Sequence, residues 1–220
     1  GLPAARRTGL DHATGDYIYH ADSDDWLAED AIAKIAEKIA QTDADIVYFD
    51  FYKEYPTRTK VKRERDYDAD AAAQREYVRN MYNHRSYASV WNKCVRHSLY
   101  TDNTIYTPQY GYAEDCYLMS QLVGYSKSIA HLEECLYHYR KGNPNALTKQ
   151  QRKKRKREYA LNFIDLYEKY RDRVGEIVSG EIYQVWKKEV QKVAKEHANL
   201  VPIIEKYEEE LGEKKLSNFL

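Results

Sequence analysis

Residues 17 to 52 constrain the fold more than any other stretch, because two β-rich runs there flank an amphipathic helix pattern. Tyr17-Ile18-Tyr19-His20-Ala21 is the first run, and Asp45 to Tyr52, rich in Ile, Val, Tyr and Phe, is the second. Between them Ile32, Ile35, Ala36 and Ile39 fall on one helical face, while Lys34, Glu37 and Lys38 fall on the other. Strand, helix, strand in that order predicts a βαβ unit, and with it a parallel sheet, a right-handed crossover and an α/β fold. The acidic loop Asp22-Ser23-Asp24-Asp25-Trp26 follows the first run at once.

The rest of the chain reads as follows. The first residues predict a helix that carries Ala4, Ala5, Leu10 and Ala13 inward and ends at Gly15. Residues 56–68 are polar and charged and predict a loop, with a helix over residues 69–82 after it. Ile105-Tyr106 predicts a short strand before Pro108, and Glu114-Asp115 opens a helix that buries Leu118, Met119, Leu122 and Val123. Residues 129–132 and 135–139 predict two short strands, and Gly142-Asn143-Pro144-Asn145 a loop. Beyond Thr148 the pattern is helical throughout. Tyr159, Phe163, Leu166, Tyr167 and Tyr170 mark one helix; Ile182, Val185, Trp186, Val193 and His197 mark a second; Pro202 starts a third that ends near Gly212. A boundary near residue 150 would separate an α/β domain, 1–149, from a helical extension, 150–220.

Composition excludes more than it selects. A chain of 220 residues holds one sizeable core, or one core plus a small helical appendage. Lys+Arg and Asp+Glu both total 35, so global electrostatics names no partner, and no nucleic-acid ligand is expected. No apolar run is long enough for a membrane span, and the first residues lack the apolar core of a signal peptide. Cys94, Cys116 and Cys135 fit neither a zinc pair nor a disulfide framework; they read as inert packing in a reducing cytosol. The 22 tyrosines are read mainly as half-buried amphipathic residues, with a sugar-stacking surface as the rival reading.

Four groups carry candidate chemistry. In extended geometry Asp22 and Asp24, two apart at a strand end, point the same way, so both carboxylates can face one ligand. Open parallel sheets bind ligands beyond the carboxyl ends of their strands, and a hard cation such as Mg²⁺ or Mn²⁺ takes carboxylate and phosphate oxygens. The rival is a solvated turn that caps the following helix. Glu114-Asp115 reads either as helix capping or, for Asp115, as a general base kept ionised by the helix N-terminus. Arg140 can grip a diphosphate in bidentate fashion or form an ordinary surface ion pair, and neighbouring His138 is a metal ligand or a partly buried polar residue. The basic run Arg152 to Arg157 reads first as a solvated helix start, and second as a peripheral contact with anionic membrane.

Taken together these features resemble the family 2 glycosyltransferases of the nucleotide-sugar-binding GT-A fold, most closely the bacterial enzymes of capsule, lipopolysaccharide and exopolysaccharide assembly. Gly1-Leu2-Pro3-Ala4-Ala5-Arg6-Arg7-Thr8-Gly9-Leu10 is similar to the family's Gly-Leu-Ser-Ala-Ala-Arg-Asn-x-Gly-Leu segment. Gly15-Asp16-Tyr17-Ile18 with Asp22-Ser23-Asp24-Asp25-Trp26-Leu27 resembles its metal-binding strand and loop. Trp91-Asn92-Lys93 resembles the segment that opens the acceptor half, and Glu114-Asp115 the pair that carries the catalytic base. Leu136-Tyr137-His138-Tyr139-Arg140, with Asn145-Ala146-Leu147-Thr148 after it, resembles the closing motif, so the likeness runs from residue 1 to about 148.

The resemblance implies a mostly parallel GT-A sheet flanked by helices and an inverting transfer from a nucleotide-diphosphate sugar, a UDP-sugar first, to a saccharide or lipid-linked hydroxyl. It implies Mg²⁺ or Mn²⁺ held through Asp24 with Asp22 beside it, and Asp115 as base. It further implies Asp22, Asp25, Trp91, Asn92, Lys93, Glu114, Tyr139 and Arg140 around donor and acceptor. A cytoplasmic enzyme, peripheral on the inner face of the plasma membrane, would fit this work. Arg7 departs from the family, which has asparagine there. The family's opening strands, which grip base and ribose, are not in the sequence; this predicts an N-terminally truncated fold and weak donor binding by the isolated chain. The alternative function is an inactive or partner-dependent fragment.

Overall fold

The computed structural model describes residues 2–67, 71–142 and 152–170, with Pro202, Glu205 and Glu209 besides. The elements are α1 (Leu2–His12), β1 (Tyr17–Tyr19), β2 (Trp26–Leu27), α2 (Ala31–Thr42), β3 (Ile46–Tyr55), β4 (Arg58–Lys62), α3 (Ala71–Tyr82), β5 (Lys93–Arg96), α4 (Ser98–Thr101), α5 (Glu114–Tyr125), β6 (Ile129–Arg140) and α6 (Arg152–Tyr170). The sheet runs β1-β5-β3-β6-β2, with β4 paired to β3.

The α/β class and the sheet flanked by helices stand. The expected mostly parallel sheet is a mixed one. Its longest ladder, β3 with β6, is parallel, whereas β1·β5, β3·β5, β3·β4 and β2·β6 are antiparallel. β1 and β3 do run parallel as the βαβ pattern demanded, but β5 lies between them and opposes both. A strand that arrives 40 residues later in sequence is invisible to a local pattern.

Alternation along β3 divides the interior into two layers, since successive side chains leave a strand on opposite faces. Ile46 and Tyr48 join Tyr77, Val78 and Met81 of α3, Met119, Leu122 and Val123 of α5, and Phe163 and Leu166 of α6. Phe49 and Phe51 face the other way, onto Ala31 and Ile35 of α2, with Trp91, Leu136 and Tyr137. Helix α2 is turned relative to the expectation. Its inward stripe is Ala31, Ile35 and Ile39, four apart, and Ile32 is 58% exposed.

Three further expectations change. Residues 58–62 are not loop but β4, which closes a hairpin on residues 51–55 of β3. Its basic side chains lie on a solvent-facing edge, so no apolar alternation announces it. Ile105-Tyr106 forms no strand, because the Gln121 side chain takes both backbone groups of Tyr106: the N–H donates to Oε1 at 2.7 Å, and the C=O accepts from Nε2 at 3.0 Å. The two short strands over 129–139 are one strand, β6, whose register with β3 shifts at Phe49/Asp50 and Asp50/Phe51. The helices expected over 182–197 and 202–212, and the segment 143–148, lie outside the described residues apart from the isolated positions named above.

All three cysteines are free, and burial pushes the thiols of Cys94 and Cys116 up to about 12, in line with inert packing. Helix α6 is tied to the α3/α5 layer. Phe163 is fully buried and meets Tyr82 edge-on at 5.3 Å and Tyr159 at 4.5 Å. Phe163→Ala is therefore expected to cost about 3–5 kcal/mol in urea unfolding. A loss below about 1 kcal/mol would mean that α6 is an appendage outside the main cooperative unit.

Candidate active site

The acidic loop is a tight turn rather than an extended segment. The N–H of Asp25 donates to the C=O of Asp22 at 3.2 Å, so the reasoning that aligned Asp22 and Asp24 by strand geometry is replaced. One tyrosine staples the turn to β6. The Asp22 N–H donates to Tyr137 Oη at 3.2 Å, and that hydroxyl donates to Asp25 Oδ2 at 2.8 Å. Asp25 Oδ1 accepts the N–H of Arg140 at 2.7 Å, so both Asp25 oxygens already have protein donors. Burial raises the Asp25 pKa, with these two hydrogen bonds acting against it. Asp22 and Asp24 are half-buried.

Sequence spacing could not bring Asp115 near this turn; Arg6 does. Its guanidinium donates to Asp115 Oδ1, reaches Asp22 Oδ1 at 3.3 Å through Nη2, and lies 3.5 Å from Glu114 through Nη1. Helix α1 thus offers one planar fork to two acidic segments that are far apart in sequence. Burial disfavours the Arg6 charge, but Asp115, Asp22 and Glu114 more than offset it and raise its pKa. In sequence Arg6 is one residue of the opening motif, and no local signal marks it, because its partners lie 16 and 109 positions away. The neighbouring Arg7 is exposed and pairs with Asp11 at 2.9 Å along its own helix.

The carboxylates are preset by helix α5. Ala113 holds φ +62°, a left-handed conformation that non-glycine residues avoid at a cost of order 1 kcal/mol, and the helix starts at Glu114 immediately after it. Burial, Asp115 and Asp22 push Glu114 up to about 7, with Arg6 pulling the other way. Asp115 is raised by burial, again against Arg6. A site in which one carboxylate is raised by two others carries more negative charge than its guanidinium neutralises. That excess, with hard oxygen donors at a strand end, suits Mg²⁺ or Mn²⁺ at Asp24 and the remaining oxygen of Asp22.

Other expected site residues divide into interior and rim. Trp91, Asn92 and Lys93 are buried. Trp91 stacks on Tyr137 at 4.6 Å and so supports the tyrosine that staples the turn. Lys93 Nζ donates to Tyr87 O at 2.9 Å, Ser89 O at 2.6 Å and Asn92 Oδ1 at 2.7 Å, which satisfies all three ammonium donors. Burial lowers its pKa to about 8, with Glu64 and Asp115 opposing. On the rim, Arg140 is exposed with its guanidinium 5.6 Å from the Trp26 ring centre, and Tyr139 is half-buried under the ammonium of Lys141. His138 is committed elsewhere: its Nδ1 lies 2.8 Å from Glu54, and its ring is stacked between Trp26 and Tyr52.

Glu114 also sets a pH dependence. Its folded pKa is above the ordinary 4.5, so its contribution favours folding in acid and is lost as pH rises from 4.5 to about 7. Glu114→Gln should remove that slope and raise stability at about pH 8 by roughly 1–3 kcal/mol, with little change near pH 4. Denaturant unfolding across pH measures both, and an unchanged slope would rule out Glu114 as its source.

Comparison with known proteins completes the picture. Residues 1–106 match the model of glycosyl transferase family 2. Glycosyltransferase GlyA of Streptococcus pneumoniae is 28% identical over 148 residues, which is 64% of this chain and 21% of that protein. The uncharacterized glycosyltransferase EpsJ of Bacillus subtilis is 29% identical over 152 residues, 67% of this chain and 44% of its own length. The chain thus spans less than half of these relatives. A crystal structure of S. aureus TarS 1-349 superposes with a TM-score of 0.63 at 16% identity, covering 87% of this chain and 52% of that one. The same TarS segment in complex with UDP-GlcNAc gives 0.62 at 16% identity, with 86% and 52% coverage. The sheet that carries the acidic turn and the Arg6 junction has a GT-A-like fold, and over residues 1–106 the chain is similar to the family 2 glycosyltransferases.

Proposed function

We propose that the polypeptide carrying this chain transfers a sugar, with inversion, from a nucleotide-diphosphate donor to a hydroxyl of a saccharide or lipid-linked acceptor in surface polysaccharide assembly. The observation that carries the reading is the Arg6 junction, which joins Asp22 of the acidic turn to Asp115 at the start of α5. The TarS complex with UDP-GlcNAc supports a UDP-sugar as donor, since that protein shares the fold. Mg²⁺ or Mn²⁺ at Asp24 and Asp22, when bound, supplies positive charge to the diphosphate.

The protein's own residues divide the remaining work. Asp115 takes the proton from the acceptor hydroxyl, whose oxygen bonds to the anomeric carbon as the bond to the diphosphate oxygen breaks on the opposite face. The nucleoside diphosphate leaves with that electron pair, and one displacement inverts the centre. Arg6 favours the ionised form of Asp115 against burial and holds it aimed until the acceptor arrives. An open pocket walled by Pro3, Arg6, His20, Tyr100, Tyr106 and Glu114 adjoins the base and suits the acceptor. Arg140 stands at the turn for the diphosphate. Among the described residues no helix is long and apolar enough to cross a membrane. Exposed Lys154 and Arg157, in the first turns of α6, suit peripheral contact with anionic lipid on a cytoplasmic surface.

Asp115→Asn in the native polypeptide should lower transfer by about 10²–10⁴-fold or more while donor affinity stays within about twofold. Steady-state transfer and calorimetric UDP-sugar binding with Mn²⁺ separate the two. Loss of donor binding with the rate would unseat Asp115 as the base.

A further inference from the structure

His131 is not used by the proposed chemistry, yet it is built like a metal ligand. Its side chain is 3% exposed, Nε2 lies 2.9 Å from Asp50 Oδ1, and Nδ1 is buried without a hydrogen-bond partner. A buried polar nitrogen left unpaired is costly and calls for an explanation. The carboxylate of Asp50 fixes the tautomer: Nε2 carries the proton it donates, so Nδ1 presents a lone pair. That carboxylate–histidine arrangement is how proteins orient an imidazole toward a metal.

The lone pair faces two carboxylates. One oxygen each of Asp66 and Glu133 lies with a ring nitrogen of His131 in a group whose ligand atoms are all within 4.8 Å of one another. Nδ1 is 3.9 Å from Asp66 Oδ1, too far for a hydrogen bond and close to the spacing of two ligands on one ion. The fold sets this up with three devices. Tyr48 stacks on the His131 ring at 4.8 Å and 7°, which holds its plane. Tyr48 Oη donates to Arg65 O at 3.0 Å, and the Glu64 N–H donates to Asp50 Oδ1 at 2.7 Å, so the strap before α3 is pinned with Asp66 over the imidazole. The first of the two β6 register shifts falls between Leu132 and Cys135, the stretch that holds Glu133.

We infer that His131, Asp66 and Glu133 form a divalent metal site, separate from the acidic turn, that takes Zn²⁺. One imidazole and two carboxylates suit zinc, with the fourth position left to water. Tetrahedral bonds of 2.0–2.2 Å need ligand atoms roughly 3.3–3.6 Å apart, so the exposed carboxylates close in by about 1 Å on binding. Two carboxylates cancel the ion's charge, and the ion clamps the strap to β6.

The test is zinc titration of the metal-free full chain by calorimetry, with cobalt absorption and thermal unfolding alongside. Asp66 and Glu133 are exposed, so Asp66→Asn/Glu133→Gln should fold normally. The expected result is one saturable site per chain that weakens at least about 100-fold in the double variant and persists in Asp24→Asn. Zinc at a hundredfold excess over Kd should raise the wild-type melting temperature by roughly 5–10 °C and leave the double variant unmoved. Absence of a saturable site, or equal affinity and shift in wild type and double variant, overturns the inference; either would leave a trapped water as the partner of Nδ1.

Discussion

One guanidinium holds the candidate site together. Arg6 meets Asp115, Asp22 and Glu114 at once and so bridges the acidic turn to α5. Several half-buried carboxylates cannot sit together uncompensated, because each desolvated charge raises the cost of the next. The fork of Arg6 offsets part of that cost, and its rigid plane fixes the distance between turn and helix. The remaining negative charge is what the cation of the proposed function would neutralise. Position and charge excess come from the same contact.

The second dependence runs through β6. Tyr137 on this strand staples the turn from one side and stacks on buried Trp91 from the other. The interior residues Trp91, Asn92 and Lys93 thereby act on the site without entering it. Lys93 is the clearest case: a buried ammonium with three acceptors orders the backbone of residues 87–92, and its charge also reaches Asp115. The earlier half of β6 has a different task. There His131 and the register shift beside it present a nitrogen away from the acidic turn, so one strand serves two chemically distinct places.

Much of this was readable in the sequence, and the failures share a cause. The helix at Glu114 with its inward face, the helix α3 and the strand leading into the acidic turn follow from periodicity and capping, which act within a few residues. Strand β4 escaped because both of its faces meet solvent, and β6 was split in two because its shift interrupts the alternation. Ile32 was placed inward because apolar residues at 31, 32, 35 and 39 fit two adjacent stripes, and only the packed sheet chooses between them.

The sequence by itself determined the α/β class, the succession of α1, β1, α2, β3, α3 and α5, the acidic turn at the end of the first strand and the Glu-Asp pair at a helix start. It could do so because each depends on neighbours along the chain. Tertiary structure alone decided the mixed sheet with β5 between β1 and β3, the union of Asp22 with Asp115 through Arg6, and the orphaned nitrogen of His131. Those rest on contacts between residues 16, 109 and 81 positions apart, where packing and electrostatics act and local preference is silent.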